Sequence, residues 1–207
     1  KPIDNAVFYT RLGQRIVHIL NTQTPSGQLY EVDMRLRPSG NSGLLVSTLQ
    51  AFEKYQREDA WTWEHQALAR ARGVAGCSET LEAFESIRHD ILCQSRDREK
   101  LRNEVVDMRE KMRASLATPE SRQAEVFHIK HDTGGIVDIE FLVQGLQLID
   151  VAGRSGVGPI EGNTLTAIDI LRDRDILDAP SAEALRTDYI FLRKTEHVLQ
   201  VAADRQV

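Results

Sequence analysis

Apolar residues recur at helical spacing along most of this chain, and in one stretch they alternate instead. From Asp4 to Asn21 the apolar positions Val7, Phe8, Leu12, Ile16, Ile19 and Leu20 predict a first helix. Ser47 with Gln50 three residues on reads as a capping box, which starts a helix through 48–58. A further helix is expected through 60–76, ending near Gly76, and another through 79–94 with Ser78 as its cap. A long, highly charged helix over 96–116 is broken at Thr118-Pro119. Val126, Phe127 and Ile129 suggest a short strand or extended segment over 125–132. The Gly134-Gly135 pair then opens the most apolar helix, 136–150, which Gly153 closes. Asn163 starts the next helix, and Pro180-Ser181 leads into a last one over 182–204. The fold class is therefore mainly α, with a short β element near the N-terminal end and a helical bundle after it.

The alternating stretch is Tyr30–Arg37. At period two, Glu31, Asp33, Arg35 and Arg37 share one face of an extended strand, and Tyr30, Val32, Met34 and Leu36 share the other. A strand with a solvated face explains such a pattern without any chemistry. A carboxylate beside two arginines also suits a metal and polyphosphate surface, because carboxylates bind Mg²⁺ and guanidinium forks grip phosphate oxygens. Pro38 and the loop Ser39–Gly43, with two glycines, follow directly.

With 207 residues, 41% hydrophobic and 28% charged, the chain has the balance of a globular protein able to bury a substantial core. Its net charge of −5 gives no basic field, so nucleic acid is not an expected partner. Cys77 and Cys93 lack a C-x-x-C spacing and read as free thiols of a reducing cytosol. No apolar run approaches the roughly 18 residues of a membrane span, and no secretory signal is apparent. A cytoplasmic protein is expected. Both ends read as cut from a longer protein, at Lys1-Pro2-Ile3-Asp4 and at Asp204–Val207.

Other sites for chemistry are fewer. In 60–76, Trp61 and Trp63 are expected to anchor the core, with Arg70 and Arg72 either solvated or turned toward phosphate. Gly134-Gly135 opens a helix whose free N–H groups suit an anion, with Lys130 nearby, although a glycine pair is also simply the usual way to bend a chain. Asp138 and Glu140 offset the helix dipole in the first turns. His128 and His131 have no metal-ligand partners at suitable spacing. The pair Asp173-Arg174-Asp175 reads as a solvated helix terminus.

Three separated segments, Leu29–Leu45, Tyr55–Arg72 and His128–Gln144, together resemble the glutamine synthetase adenylyltransferase/adenylyl-removing enzyme family. The run Trp61-Thr62-Trp63-Glu64-His65-Gln66-Ala67-Leu68 is similar to the C-terminal, adenylylating half, and Gly134–Phe141 also resembles the uridylyltransferase of PII signal proteins. The resemblance implies an incomplete polymerase-β-like nucleotidyltransferase element over 1–76 and a truncated helical bundle over 77–207. It implies ATP as substrate, Mg²⁺ as cofactor, and glutamine synthetase and PII signal protein as partners. It makes Asp33 the catalytic and metal-binding acid, with Arg35, Arg37, Lys130, Gly134 and Gly135 toward the nucleotide. A Gly-Ser turn and an Asp-x-Asp strand would lie upstream of Lys1. The whole enzyme would move AMP from ATP to a tyrosine of glutamine synthetase, regulating nitrogen assimilation, and this chain alone would be inactive. A docking module for PII or glutamine synthetase, or the adenylyl-removing half, are the alternative readings.

Overall fold

The structure is a computed structural model that describes residues 3–203; Lys1, Pro2 and Asp204–Val207, where the sequence reads as cut, lie outside it. Among the described residues are eight α-helices: α1 Asn5–Asn21, α2 Leu49–Glu58, α3 Thr62–Arg70, α4 Ser78–Leu92, α5 Arg98–Leu116, α6 Ile136–Val151, α7 Thr164–Asp173 and α8 Ala179–Ala203. Short polar side chains start most of them by accepting otherwise unpaired N–H groups. Asp4 accepts from Ala6 at 2.9 Å, Asp97 from Lys100 at 2.8 Å and Asn163 from Leu165 at 3.0 Å. The start of α2 is set one residue later than Ser47, because the Thr48 hydroxyl accepts from the Ala51 N–H at 3.1 Å. Ser78 is the first residue of α4 and not its cap; Cys77 holds that position. α8 begins just before Pro180, where Asp178 accepts from the Ser181 N–H at 2.8 Å and a proline in the first turn forfeits no helical bond.

The expected strands are absent from the described residues, whose only bridge is the Thr24–Gly27 pair. The segment 125–132 is likewise built of turns and extended backbone. A strand needs a neighbouring backbone to complete its ladder, and Glu31–Met34 has none. Its alternation survives locally: Val32 and Met34 are half-buried while Glu31, Asp33 and Arg35 are exposed. It fails at Leu36 and Arg37, where the chain turns, leaving Leu36 exposed and Arg37 half-buried. The Asn21 side chain takes the place of a partner strand by accepting the Val32 N–H at 2.8 Å.

By contacts the chain divides into two compact units, one up to Ala60 and one from Trp61 on. In the first, α1 buries none of its residues, and Phe8, Leu12, Ile16 and Ile19 are all exposed. In the second, α6 packs against α3, α5, α7 and α8. Ile136, Ile139 and Val143 of α6 meet Ala167, Ile168 and Leu171 of α7 and Ala182, Tyr189 and Leu192 of α8. Trp61 is 67% exposed and takes no part in this core. It precedes the first turn of α3 in extended backbone, off the helical face that carries the buried Leu68 and Ala69.

α3 stops at Arg70, short of the expected end near Gly76, because a buried arginine closes it. Arg88 of α4, 3% exposed, donates to the Ala69 carbonyl at 2.5 Å and to the Leu68 carbonyl at 2.9 Å, the latter also taking the Ala71 N–H at 3.1 Å, so the last turn ends on this guanidinium. The same guanidinium donates to the Ile160 carbonyl at 2.9 Å, tying the segment before α7 to α3. Arg88→Leu removes the guanidinium from three carbonyls, of which that of Leu68 keeps the Ala71 N–H, and is expected to cost about 2–4 kcal/mol, lowering the melting temperature by about 5–15 °C. A fall of less than about 3 °C in a thermal melt would show that water replaces the guanidinium at little cost.

Candidate functional site

The candidate residues fall in both units, Asp33, Arg35 and Arg37 in the first and Lys130, Gly134 and Gly135 in the second. In the first unit Asp33 and Arg35 form a two-pronged pair: the Arg35 Nε lies 2.8 Å from Asp33 Oδ2 and its Nη2 2.6 Å from the same oxygen, with Nε also 3.0 Å from Oδ1. The Arg35 backbone N–H closes a tight turn onto Oδ1 at 2.8 Å. These hydrogen bonds from the Arg35 side chain and backbone hold the Asp33 carboxyl below its usual range, so it is ionised at neutral pH. Both side chains are exposed, so solvent screens the pair. Arg37 has a different task. It donates to the carbonyls of Met34 at 2.7 Å, Gly43 at 3.3 Å and Asn41 at 3.4 Å, gathering the Ser39–Gly43 loop around one guanidinium.

Asp33 offers a hard, ionised, exposed oxygen donor, which fits one position around Mg²⁺. Among the described residues no group of three or more His, Cys, Asp or Glu side chains stands together to hold a metal.

In the second unit, the turn before α6 is wound so that its own carbonyls fill the helix N-terminus. The Gly135 N–H donates to the Asp132 carbonyl at 2.9 Å, Ile136 to Ile129 at 3.0 Å and Val137 to Lys130 at 3.1 Å. The Gly134 N–H donates to Asp138 Oδ2 at 2.7 Å. The amides expected to face an anion are thus all engaged within the protein. Lys130 is engaged too, with its Nζ 3.2 Å from Glu196, which is 3% exposed and also pairs with Arg193 at 2.7 Å.

Each glycine has its own reason. Gly134 has φ +84°, the left-handed region, with open space around its Cα. Gly135 has an ordinary φ, but a Cβ there would lie 2.7 Å from the Ile129 carbonyl oxygen and 2.9 Å from that of Asp132. Asp132 fastens the other side of the turn by accepting from the Thr118 and His128 N–H groups, each at 2.6 Å. Burial opposes its charge, but those two amides outweigh burial and hold its carboxyl below the usual range.

Asp138 does more than offset the dipole. Its Oδ1 accepts from Arg109 of α5 at 2.5 Å and from Arg113 at 3.3 Å, and Arg109 also donates to the His131 carbonyl at 2.8 Å. Glu140 similarly accepts from Arg70 at 2.7 Å and from the Tyr189 hydroxyl at 2.9 Å. His128 and His131 stack edge to face at 4.9 Å between centroids. Burial, then the charges of His128, Arg109 and Lys130, push the His131 pKa down. Asp173 and Asp175 are exposed at the end of α7, as expected of a helix terminus, while Arg174 between them reaches the buried Asp150. Sequence reasoning missed Arg109, Asp132 and Arg88. Asp132 and Arg88 lay within stretches read for helix and strand alone, and the partners of Arg109 are more than 20 residues away.

Comparison with known proteins brings these segments together. Residues 1–87 match the family model of glutamate-ammonia ligase adenylyltransferase, and residues 106–207 match that of GlnD PII-uridylyltransferase. The bifunctional glutamine synthetase adenylyltransferase/adenylyl-removing enzyme of Hahella chejuensis is 53% identical over 199 residues, 95% of this chain. The chain belongs to the glutamine synthetase adenylyltransferase family. The enzyme of the same name from Pseudomonas putida is 50% identical over 206 residues, again 95% of this chain, and that from Pseudomonas aeruginosa 56% over 153 residues, 70% of this chain. The chain spans 21% of the length of the first two of these relatives and 16% of the third. The PII-uridylyltransferase match starts inside α5 and takes in the whole turn–α6 arrangement.

The two glycines separate in their expected costs. Gly134→Ala should lose about 1 kcal/mol, the cost of holding an L-residue at positive φ. Gly135→Ala should lose at least about 2 kcal/mol, because its methyl meets backbone that is already hydrogen-bonded to α6. Urea unfolding of the two variants checks the order; equal losses, or a larger one at Gly134, would contradict this geometry.

Proposed function

We propose that this chain is part of an adenylyltransferase that moves AMP from ATP to a tyrosine hydroxyl of glutamine synthetase. The observation that carries the reading is the 53% identity, over nearly the whole chain, to a relative named for that activity. In such a transfer the tyrosine oxygen forms a bond to the α-phosphorus, the bond from that phosphorus to the bridging oxygen breaks, pyrophosphate leaves and the phenolic proton passes to solvent. Mg²⁺, when bound, supplies charge neutralisation of the phosphates. Asp33 is the residue we assign to it, supported by the exposed, ionised carboxylate at the end of a half-buried extended segment. Arg35 holds Asp33 in place until phosphate competes for the guanidinium, and Arg37 shapes the Ser39–Gly43 loop toward the nucleotide.

On this reading residues 1–76 complete a nucleotidyltransferase domain and 77–207 form its helical bundle. The exposed apolar positions of α1, Phe8, Leu12, Ile16 and Ile19, are suited to being covered by other parts of the parent. Lys130, Gly134 and Gly135 act by fixing α6, a role supported by their engaged amides and ion pair. Among the described residues no helix is long and apolar enough to cross a membrane. A second reading, that the bundle also docks a PII signal protein, is supported by the match of 106–207 to a family that acts on PII.

Asp33→Asn in the full-length parent is expected to abolish adenylyl transfer while moving the melting temperature by less than about 2 °C, since an exposed ion pair contributes little to stability. Release of pyrophosphate from ATP with glutamine synthetase present is the measurement. Near-normal transfer would remove Asp33 from the site, and AMP moving only off the modified tyrosine would favour the adenylyl-removing half.

A further inference from the structure

The second unit contains a polar cleft of about 400 Å³ lined by Arg70, Arg72, Arg88, Glu85, Glu161 and Asn163, with the backbone of Ala71, Ile160 and Gly162. Its charges are unevenly committed. Arg88 is spent on three carbonyls and on Glu85, whose Oε1 lies 2.5 Å from Arg88 Nη1. Glu161 accepts the Asn163 N–H at 2.8 Å, and the Asn163 side chain caps α7. Arg70 gives one nitrogen to Glu140 and remains 44% exposed in its side chain. Arg72, exposed at the cleft wall, makes no hydrogen bond or ion pair with any of the described residues. Glu85 is thus paired and Glu161 keeps one oxygen on an amide, while Arg72 and the remaining nitrogens of Arg70 are the unspent donors of the wall.

The wall is also rigid. Arg88 fixes the end of α3 to the Ile160 carbonyl, and Gly162 runs so close to Arg70 that a Cβ would lie 3.3 Å from its Cα and 3.3 Å from its carbonyl oxygen. The arginine-bearing end of α3 and the segment entering α7 are therefore held together before any ligand arrives, so little ordering is required on binding.

We propose that this cleft binds the phosphoryl group of a small phosphorylated metabolite, with Arg72 and the free nitrogens of Arg70 gripping its oxygens. A guanidinium fork matches two oxygens of a tetrahedral dianion, and two forks supply the charge to balance it. Arg88, paired with Glu85, stays on its carbonyls, and the volume admits a ligand of small-metabolite size. The inference is independent of Asp33 and of the direction of AMP transfer.

The test is calorimetric titration of the 207-residue chain with inorganic phosphate, against chloride at matched ionic strength. Wild type is expected to bind phosphate, Arg72→Ala to bind at least tenfold more weakly with an unchanged melting temperature, and Arg72→Lys to fall between them. Arg57→Ala, which removes an exposed arginine of the first unit, should bind as wild type does, separating this cleft from surface guanidinium groups in general. Phosphate no better than chloride, or unaltered binding by Arg72→Ala, would overturn the proposal. Tighter binding of succinate than of phosphate would overturn the assignment to a phosphoryl group.

Discussion

α6 is apolar nearly all round, and a helix of that kind is stable only when other elements enclose it. The rest of the second unit is arranged to meet that demand. α3, α5, α7 and α8 each pack on it, and nine of its sixteen residues are buried, Gln144, Gln147 and Asp150 among them. A helix that starts among buried residues such as Gly135 and Ile136 cannot leave its first N–H groups to solvent either, so they need partners inside the protein. The turn 128–135 supplies them from its own carbonyls, and Asp132, Arg109 and Asp138 hold that turn to α5 and to the chain after it.

That constraint separates two kinds of residue that look alike in the sequence. Gly134, Gly135 and Lys130 have the composition of an anion site, yet their donors are all committed within the unit. Asp33 and Arg72 instead lie exposed at the surface. Asp33 does have a partner, but Arg35 is an exposed and exchangeable one. The exposed charges are accordingly the ones open to solvent, and the buried ones, Arg88, Asp132 and Glu196, maintain the shape.

Much of the helical order was legible in the sequence because each element depends on local spacing and a cap: Asp4, Asn163 and the break at Pro119 all work over a few residues. Three features were not. The alternation of Tyr30–Arg37 marks which residues are half-buried, but a strand also depends on a neighbour, which no local pattern reports. The end of α3 is set by Arg88, some twenty residues on, so the pattern through Gly76 overran it. Trp61 reads as a core residue by type, and its place ahead of the first turn leaves it exposed. Of the candidate site, the type and exposure of Asp33 were legible. The engagement of the α6 amides was not, since it depends on how the preceding turn folds back.

The central claim is that the turn before α6 is closed by the protein itself and needs no ligand. Amide hydrogen exchange of Gly135, Ile136 and Val137 tests it most directly. These three amides should exchange only as fast as the surrounding bundle unfolds, at the same rate with and without Mg·ATP. Rapid exchange in the free protein that slows when Mg·ATP is added would contradict the account and return these amides to an anion site.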